Sequence, residues 1–411
     1  MILIFGGTTE GRVAVDVCEQ AAKCYLYSTR SGEQRLALSY GEELSGDMCQ
    51  CDMVELAKLR DVDLIIDAAH PYASGLHHNL TSAAAELSIP VIRFERESQP
   101  ATYPGVVMLD SMDDAVEYIS SHSLHGVLAL TGVKSAQFLT PISRRCGVVL
   151  RIMDREESNW EVERTSFPKE NIIYYDFDNT HSLKDLCREL RITSILTKES
   201  GEAGGYGKKV AVAQELDIPL LVIKRPELPQ YQSAVFGPHS LRRSIEELLP
   251  TYFGLRTGFT SGSAATAATT AALMAGVCSV EANSVEIYLP SGEPITLPVA
   301  YAKTDNCLFE ACVIKDGGDD PDATHNLEFI SRVSLAPCCG EESEVRIVGG
   351  EGVGVVTLHG LGIEVGQHAI NPVPRQMITD NVLRFLARRS LKCIVEVEIS
   401  VPRGAEVAPK T

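Results

Sequence analysis

The first residues able to do chemistry stand at the head of the chain, where Gly6, Gly7, Thr8, Thr9, Glu10, Gly11 and Arg12 follow the apolar run Ile2-Leu3-Ile4-Phe5. An apolar run that breaks at paired glycines reads as a buried parallel strand entering a tight turn. Val13, Val17 and Ala21 then recur at helical spacing, so the turn opens a helix over 10–22. Backbone N–H groups and the positive helix end converge on such a turn, which makes it an anion site. Gly6, Thr8 and Gly11 occupy the three glycine positions of the dinucleotide pattern, with threonine in the middle. The next strand ends in Ser28-Thr29-Arg30, where NAD-binding folds usually place an acid for the ribose 2′-hydroxyl. A hydroxyl and a guanidinium there suit a 2′-phosphate, so NADPH is preferred to NADH as cofactor.

A second group lies at 67–73, Asp67-Ala68-Ala69-His70-Pro71-Tyr72-Ala73, after the apolar strand 62–69. Proline stops the strand and fixes the loop, so His70 and Tyr72 stand at a strand's carboxyl end, where open α/β sheets bind ligands. His70 can bind a carboxylate, move a proton or simply hold the loop through a backbone hydrogen bond. Arg93, Arg96 and Lys134 add positive charge near further strand ends. A second glycine-rich turn, 198–209, carries Lys198, Ser200, Gly201, Lys208 and Lys209 and opens another helix, so it is a second anion site.

The elements that must position these residues alternate between strand and helix. Strands at 106–109, 127–130, 148–152, 172–175, 195–197 and 220–223 repeat the opening pattern, with helices at 113–121 and 183–190. The expected fold is α/β: two Rossmann-like parallel-sheet halves with a cleft between them, at 1–100 and 101–225. A proline-bearing segment with one helix follows at 226–253, and then an α+β domain at 254–411 that reads as truncated. Its expected parts are a small-residue helix to 275, a hairpin at 285–289 and 295–299, a strand at 309–314, a glycine turn between strands at 347–354, a helix at 376–388 and a last strand at 394–401.

Composition narrows the partners. The 411 residues carry a net charge of −18, which argues against nucleic acid and anionic membrane surfaces. No apolar run reaches transmembrane length, and a strand beginning at residue 2 leaves no room for a signal peptide, so a cytoplasmic enzyme is expected. The 12 cysteines contain no CxxC pair. Cys49 and Cys51, or Cys338 and Cys339, have neither zinc nor iron–sulfur spacing, so reduced thiols are expected. Asp316, Asp319, Asp320, Asp322 and His325 have the composition of a cation site, but not the alternating ligands of an EF-hand. We read them as a hydrogen-bonded loop or a substrate contact, with no metal.

Jointly, residues 6–12, Ser28-Thr29-Arg30, residues 67–73, Arg93-Phe94-Glu95-Arg96, Lys198-Glu199-Ser200-Gly201 and Ile223-Lys224-Arg225-Pro226 resemble the precorrin-6A reductase family of cobalamin biosynthesis over about residues 1–250. Ala69 departs from the threonine usual in that family. The resemblance implies reduction of a macrocycle double bond by a nicotinamide nucleotide, on a large tetrapyrrole ringed by carboxylates. His70, Arg93, Arg96, Lys134, Lys198, Lys208 and Lys209 are then the cations expected to meet it. Tyr72, His70 or water is the expected proton donor.

Residues 256–263, 315–325, 347–354 and 369–375 resemble the cobalt-precorrin-5B carbon-1 methyltransferase family, over about the first half of that family. This implies S-adenosylmethionine as a second cofactor and a neighbouring step of one pathway, with other corrin-pathway enzymes as partners. Its expected site residues are Thr257, Gly258, Thr260, Asp316, Asp319, Asp320, Asp322, His325, Glu351, Asn371 and Arg375. Ser263 and Ala264 replace the more usual threonine and cysteine, and the last strand is expected to lack a successor to pair with. The readings in competition with the reductase are an active methyltransferase with a substrate-holding N-terminal part, and a non-catalytic tetrapyrrole-binding module.

Overall fold

The computed structural model describes the chain except residues 33, 35, 96–102, 176–181, 202–204, 306–307, 338–341, 358–362, 408–411 and the side chain of residue 157. Two compact units divide it, Met1–Val15 with Cys24–Ala234, and Asp16–Lys23 with Val235–Thr411. Arg96, Cys338 and Cys339 fall outside the described residues.

The first half comprises β1 (Ile2–Phe5), α1 (Thr9–Glu19, whose last residues from Asp16 are counted with the second unit), β2 (Tyr25–Thr29), β3 (Gly41–Ser45), α2 (Gln50–Leu59), β4 (Leu64–Asp67), α3 (Ser74–Leu87) and β5 (Val91–Glu95). The second half runs β6 (Val106–Leu109), α4 (Met112–Ser121), β7 (Val127–Leu130), α5 (Ala136–Ser143), β8 (Val148–Met153), α6 (Glu156–Thr165), β9 (Ile172–Tyr175), α7 (Leu183–Glu189), β10 (Ser194–Lys198), α8 (Tyr206–Leu216) and β11 (Leu220–Ile223). Each half is a six-stranded sheet, the first completed by β12 (Ser233–Phe236). Strand β1 is buried throughout and β7 at its first three residues, as helices on both faces of a parallel sheet require. Each wholly buried Ile or Leu there contributes about 2 kcal/mol.

The strand orders explain where ligands can sit. The first sheet reads β12-β5-β4-β1-β2-β3 and the second β6-β11-β10-β7-β8-β9. Chain order reverses between β1 and β4 in one and between β7 and β10 in the other, so each half has a switch point at those carboxyl ends. Gly6 and His70 follow the first pair, and Lys134 and Glu199 the second. Helices α5 and α6 and the edge strand β3 were not legible as elements, because Pro141 interrupts α5 and charge fills α6 and β3.

In the second unit, α9 (Pro238–Leu248) precedes α10 (Ser261–Cys278), the hairpin β13 (Ser284–Tyr288) and β14 (Pro294–Pro298), and β15 (Tyr301–Asp305), β16 (Leu308–Ile314), β17 (Glu328–Pro337), β18 (Glu344–Gly349), α11 (Pro372–Ala387) and β19 (Cys393–Ser400). Helix α10 is buried around most of its circumference, which its Ala, Gly, Ser and Thr side chains permit. A Cβ at Gly276 would lie 2.1 Å from the Phe309 ring. Thr269 satisfies its hydroxyl on the Ala265 carbonyl and on Ser331 Oγ, at 2.8 and 2.9 Å.

One expectation is corrected here. The last strand does not lack a partner: β19 lies between β17, antiparallel, and β18, parallel. The glycine turn after β18 stands between strands, as expected, and the chain then passes through α11 before returning as β19.

Candidate active site

A cleft of about 1150 Å³ opens at the carboxyl ends of β1, β2 and β4, wholly within the first unit. Gly6, Gly7, Thr8, Arg12, Ser28, Thr29 and Arg30 line it together with His70 and Tyr72, and Lys134 lines it from the second half. The sequence reading missed Gln34, Asp47, Asp52, Met153 and Arg155 on the same walls. Their signal was weak, since β3 carries alternating polarity only faintly and α6 is mostly charged.

The glycine turn is shaped by a tyrosine. A Cβ on Gly6 would lie 2.3 Å from the Tyr27 ring, and one on Gly11 would lie 2.8 Å from the Gly6 Cα. The space that glycine leaves at Gly6 is therefore filled by Tyr27, which corrects the view that a ligand alone demands it. Tyr27 Oη accepts from the Gly7 N–H at 3.0 Å and donates to the Gln34 side chain, whose Nε2 donates to the Thr8 carbonyl at 3.2 Å. Thr8 Oγ1 donates to the Ala68 carbonyl at 2.6 Å and accepts from the Gly11 N–H at 3.0 Å, capping α1. Gly7, by contrast, has φ +91° and open space beside its Cα, so its backbone can be approached closely from the cleft. Arg30 and Asp47, at the ends of adjacent strands, pair at 3.2 Å and are both exposed.

Beneath the cleft floor lies a buried charge network. Asp67, wholly buried, accepts from Arg93 Nη1 at 2.8 Å and the Ala69 N–H at 3.1 Å on one oxygen. Its other oxygen accepts from His77 Nδ1 and Tyr231 Oη, each at 2.6 Å. Burial pushes this carboxyl upward, but the His77 hydrogen bond and the Arg93 charge outweigh it and hold the group below the usual range. His77 Nε2 lies 3.1 Å from the His70 carbonyl. The ring thereby bridges Asp67 and the carbonyl of the loop residue His70. Arg93 continues to Glu95 at 2.6 Å, and Glu95 to Arg225 at 3.3 Å. An acid inside the apolar strand 62–69 was the readable signal for all of this, since a buried carboxylate requires donors around it.

The predicted residues divide accordingly. Arg93 is 1 % exposed, donates to Asp67 and Glu95 through Nη1 and Nε, and does not line the cleft, so its place is that of a structural cation. Tyr72 is likewise corrected: its hydroxyl donates to the Ile223 carbonyl at 2.7 Å and accepts from the Glu199 N–H at 2.9 Å, and burial pushes it up to about 12. It fastens the two halves of the cleft wall and is not a proton donor. His70 Nδ1 accepts from the Tyr72 N–H at 3.3 Å, which leaves the proton of a neutral ring on Nε2. Lys198 Nζ sits 4.9 Å from the Tyr72 ring centre, with burial, then Lys134, lowering its pKa. Lys209 Nζ reaches Ser200 Oγ at 3.5 Å, and burial brings it down to about 8. Gly201 is buried beside it and Lys208 is exposed; neither lines the cleft.

In the second unit most of the predicted residues are held by neighbouring groups of the same unit. Asp316 accepts from Arg256 at 2.6 Å and from the Gly318 N–H at 3.0 Å, and is brought to about 2 with the Arg256 hydrogen bond as the largest cause. Asp319 accepts from the Arg256 N–H at 2.8 Å. Asp322 pairs with the buried Lys315, which also donates to Thr324 at 2.6 Å and Ser261 at 3.2 Å. Burial opposes ionisation of Asp322, yet Lys315 and Thr324 bring it to about 2. Asp320 is exposed, and His325 Nδ1 accepts from the Gly317 N–H at 2.9 Å. Thr257 is tied to Glu246 at 2.9 Å, and a Cβ on Gly258 would lie 1.9 Å from the Gly317 backbone. Thr260 caps α10 through the Ser263 N–H at 3.1 Å. Arg375 donates to the carbonyls of Ile370, Ile347 and His368 at 2.9 to 3.4 Å, Asn371 caps α11 by position, and Glu351 is exposed.

Comparison with known proteins fits this division. The profile of the family "Precorrin-6x reductase CbiJ/CobK" matches residues 1–245, and that of the CbiD family matches residues 250–411. A solved structure titled "CobK precorrin-6A reductase" superposes with a TM-score of 0.50 at 21% identity, covering 62% of this chain and 99% of that one. The cobalt-precorrin-5B C(1)-methyltransferases of Geobacillus kaustophilus (strain HTA426) and Geobacillus thermodenitrificans (strain NG80-2) are 49% and 48% identical over 157 residues, 38% of this chain. The chain spans 41% of the length of each of these relatives. Its first 245 residues make the chain a member of the precorrin-6x reductase CbiJ/CobK family, joined to a CbiD-like region at 250–411.

Proposed function

We propose that the first unit reduces a ring double bond of precorrin-6A or cobalt-precorrin-6A with NADPH or NADH. The observation that carries this reading is the single cleft lined by the glycine turn, Arg30 and His70. The open backbone at Gly7 fits a dinucleotide's phosphates, and Arg30 fits a 2′-phosphate. When bound, the nicotinamide nucleotide supplies a hydride to one carbon of the double bond. His70, which lines the cleft, takes a proton from solvent and passes it to the other carbon, returning to the neutral ring, while Tyr72 holds the loop that carries it. Lys134 and Arg155 face the same cleft and meet ring carboxylates there. The CbiD-like region serves a C1-methylation step with S-adenosylmethionine in the same pathway.

The test is anaerobic: full-length protein, precorrin-6A and NADPH, with nicotinamide absorbance followed over time. Loss of absorbance only when the tetrapyrrole is present supports the reductase. Tight ring binding without nucleotide oxidation supports a carrier in its place. Methyl transfer is read separately from radiolabelled S-adenosylmethionine and cobalt-precorrin-5B.

A further inference from the structure

The acid missing after β2 is supplied by the neighbouring strand. Arg30 directly follows β2, and Asp47 follows β3 after Gly46, whose φ is +127°. The two strands are parallel neighbours paired through Thr29 and Ser45, so both side chains emerge at one end of the sheet. Arg30 Nε lies 3.2 Å from Asp47 Oδ2, and both residues line the cleft that holds the glycine turn. A carboxylate here has a consequence for nucleotide choice. It accepts a hydrogen bond from a ribose 2′-hydroxyl but repels a 2′-phosphate, which in turn competes for the same guanidinium.

Resting on the nucleotide-binding reading above, we propose that Asp47 is a specificity-determining residue, which restrains Arg30, lowers the preference for NADPH over NADH and accepts the 2′-hydroxyl of NADH. The site is thereby a two-nucleotide reader with one residue for each chemistry. The pair is exposed at 55% and 77%, so solvent screens it and the effect is of moderate size. Its exposure also means that Asp47→Asn leaves the fold intact, which an unchanged melting midpoint verifies.

Binding of NADPH and NADH to the full chain, by nicotinamide fluorescence at low and high salt, tests the proposal. Asp47→Asn is expected to tighten NADPH and weaken NADH, raising the NADPH-to-NADH affinity ratio by about tenfold at low salt and by less at high salt. Arg30→Ala is expected to lower that ratio by a similar factor. An unchanged ratio in Asp47→Asn, while the unaltered protein binds nucleotide, overturns the role of Asp47 alone. Failure of the unaltered protein to bind either nucleotide overturns the nucleotide reading and this proposal with it.

Discussion

The cleft of the first unit and the acidic loop of the second are both glycine-bearing and charged, yet they spend their charge differently. In the loop, Asp316, Asp319 and Asp322 are bound by Arg256, Lys315 and neighbouring N–H groups of the same unit. In the first unit the inward groups are consumed in the same way, Asp67 by Arg93, His77 and Tyr231. A further layer stands above them, however, in which Gly7, Arg30, His70 and Lys134 line an open volume. The difference teaches that charge density alone does not mark a site. What marks one is a satisfied network supporting a second set of groups that face a cavity.

The largest effect should come from undermining that support. Asp67→Ala leaves Arg93 and His77 buried without their acid, and should cost about 3–5 kcal/mol of stability to the first unit. Denaturant unfolding read by separate probes for the two units would show it; a loss below about 1 kcal/mol would mean that the network does not carry the cleft. Next in size, His70→Ala should reduce turnover by about 10²-fold with little change in nucleotide affinity, whereas Tyr72→Phe should cost stability and leave the chemical step within a few-fold. Equal losses of kcat in both variants would return the proton to Tyr72.

The acidic loop should respond to structure-breaking changes without any effect on the cleft. Lys315→Met removes a buried ammonium and strands its partners, at about 1–3 kcal/mol, while NADPH affinity stays unchanged. The smallest effect is in acid. Asp316 and Asp322 are held near 2 in the folded chain against 3.8 in the unfolded one, so their contribution is full above about pH 4 and fades as pH falls toward 2. Melting midpoints of the second unit measured across that window should fall less steeply in Asp322→Asn than in the unaltered protein.

Much of this was readable from sequence where one residue type has one use. The run Ile2-Leu3-Ile4-Phe5 before Gly6 fixes a central strand, and His70-Pro71-Tyr72 fixes a loop at a strand end. Elements whose pattern was faint, such as α5 with its internal Pro141 and the half-exposed β3, became visible only in three dimensions. Side-chain roles were less legible than side-chain positions. Arg93 and Tyr72 stand where the sequence put them, but what decides their work is partners over twenty or more residues away, Asp67 for one and Ile223 and Glu199 for the other. Spacing along a chain does not encode such long-range pairings, and neither does it reveal that the acid paired with Arg30 follows β3.

The most direct test of the central claim follows the hydride itself. Full-length protein is given precorrin-6A and nucleotide deuterated at its transferable position, and the recovered tetrapyrrole is weighed by mass spectrometry. The account predicts a reduced ring carrying one deuterium from the nucleotide on carbon. A ring recovered unreduced and unlabelled, despite bound nucleotide, would contradict it.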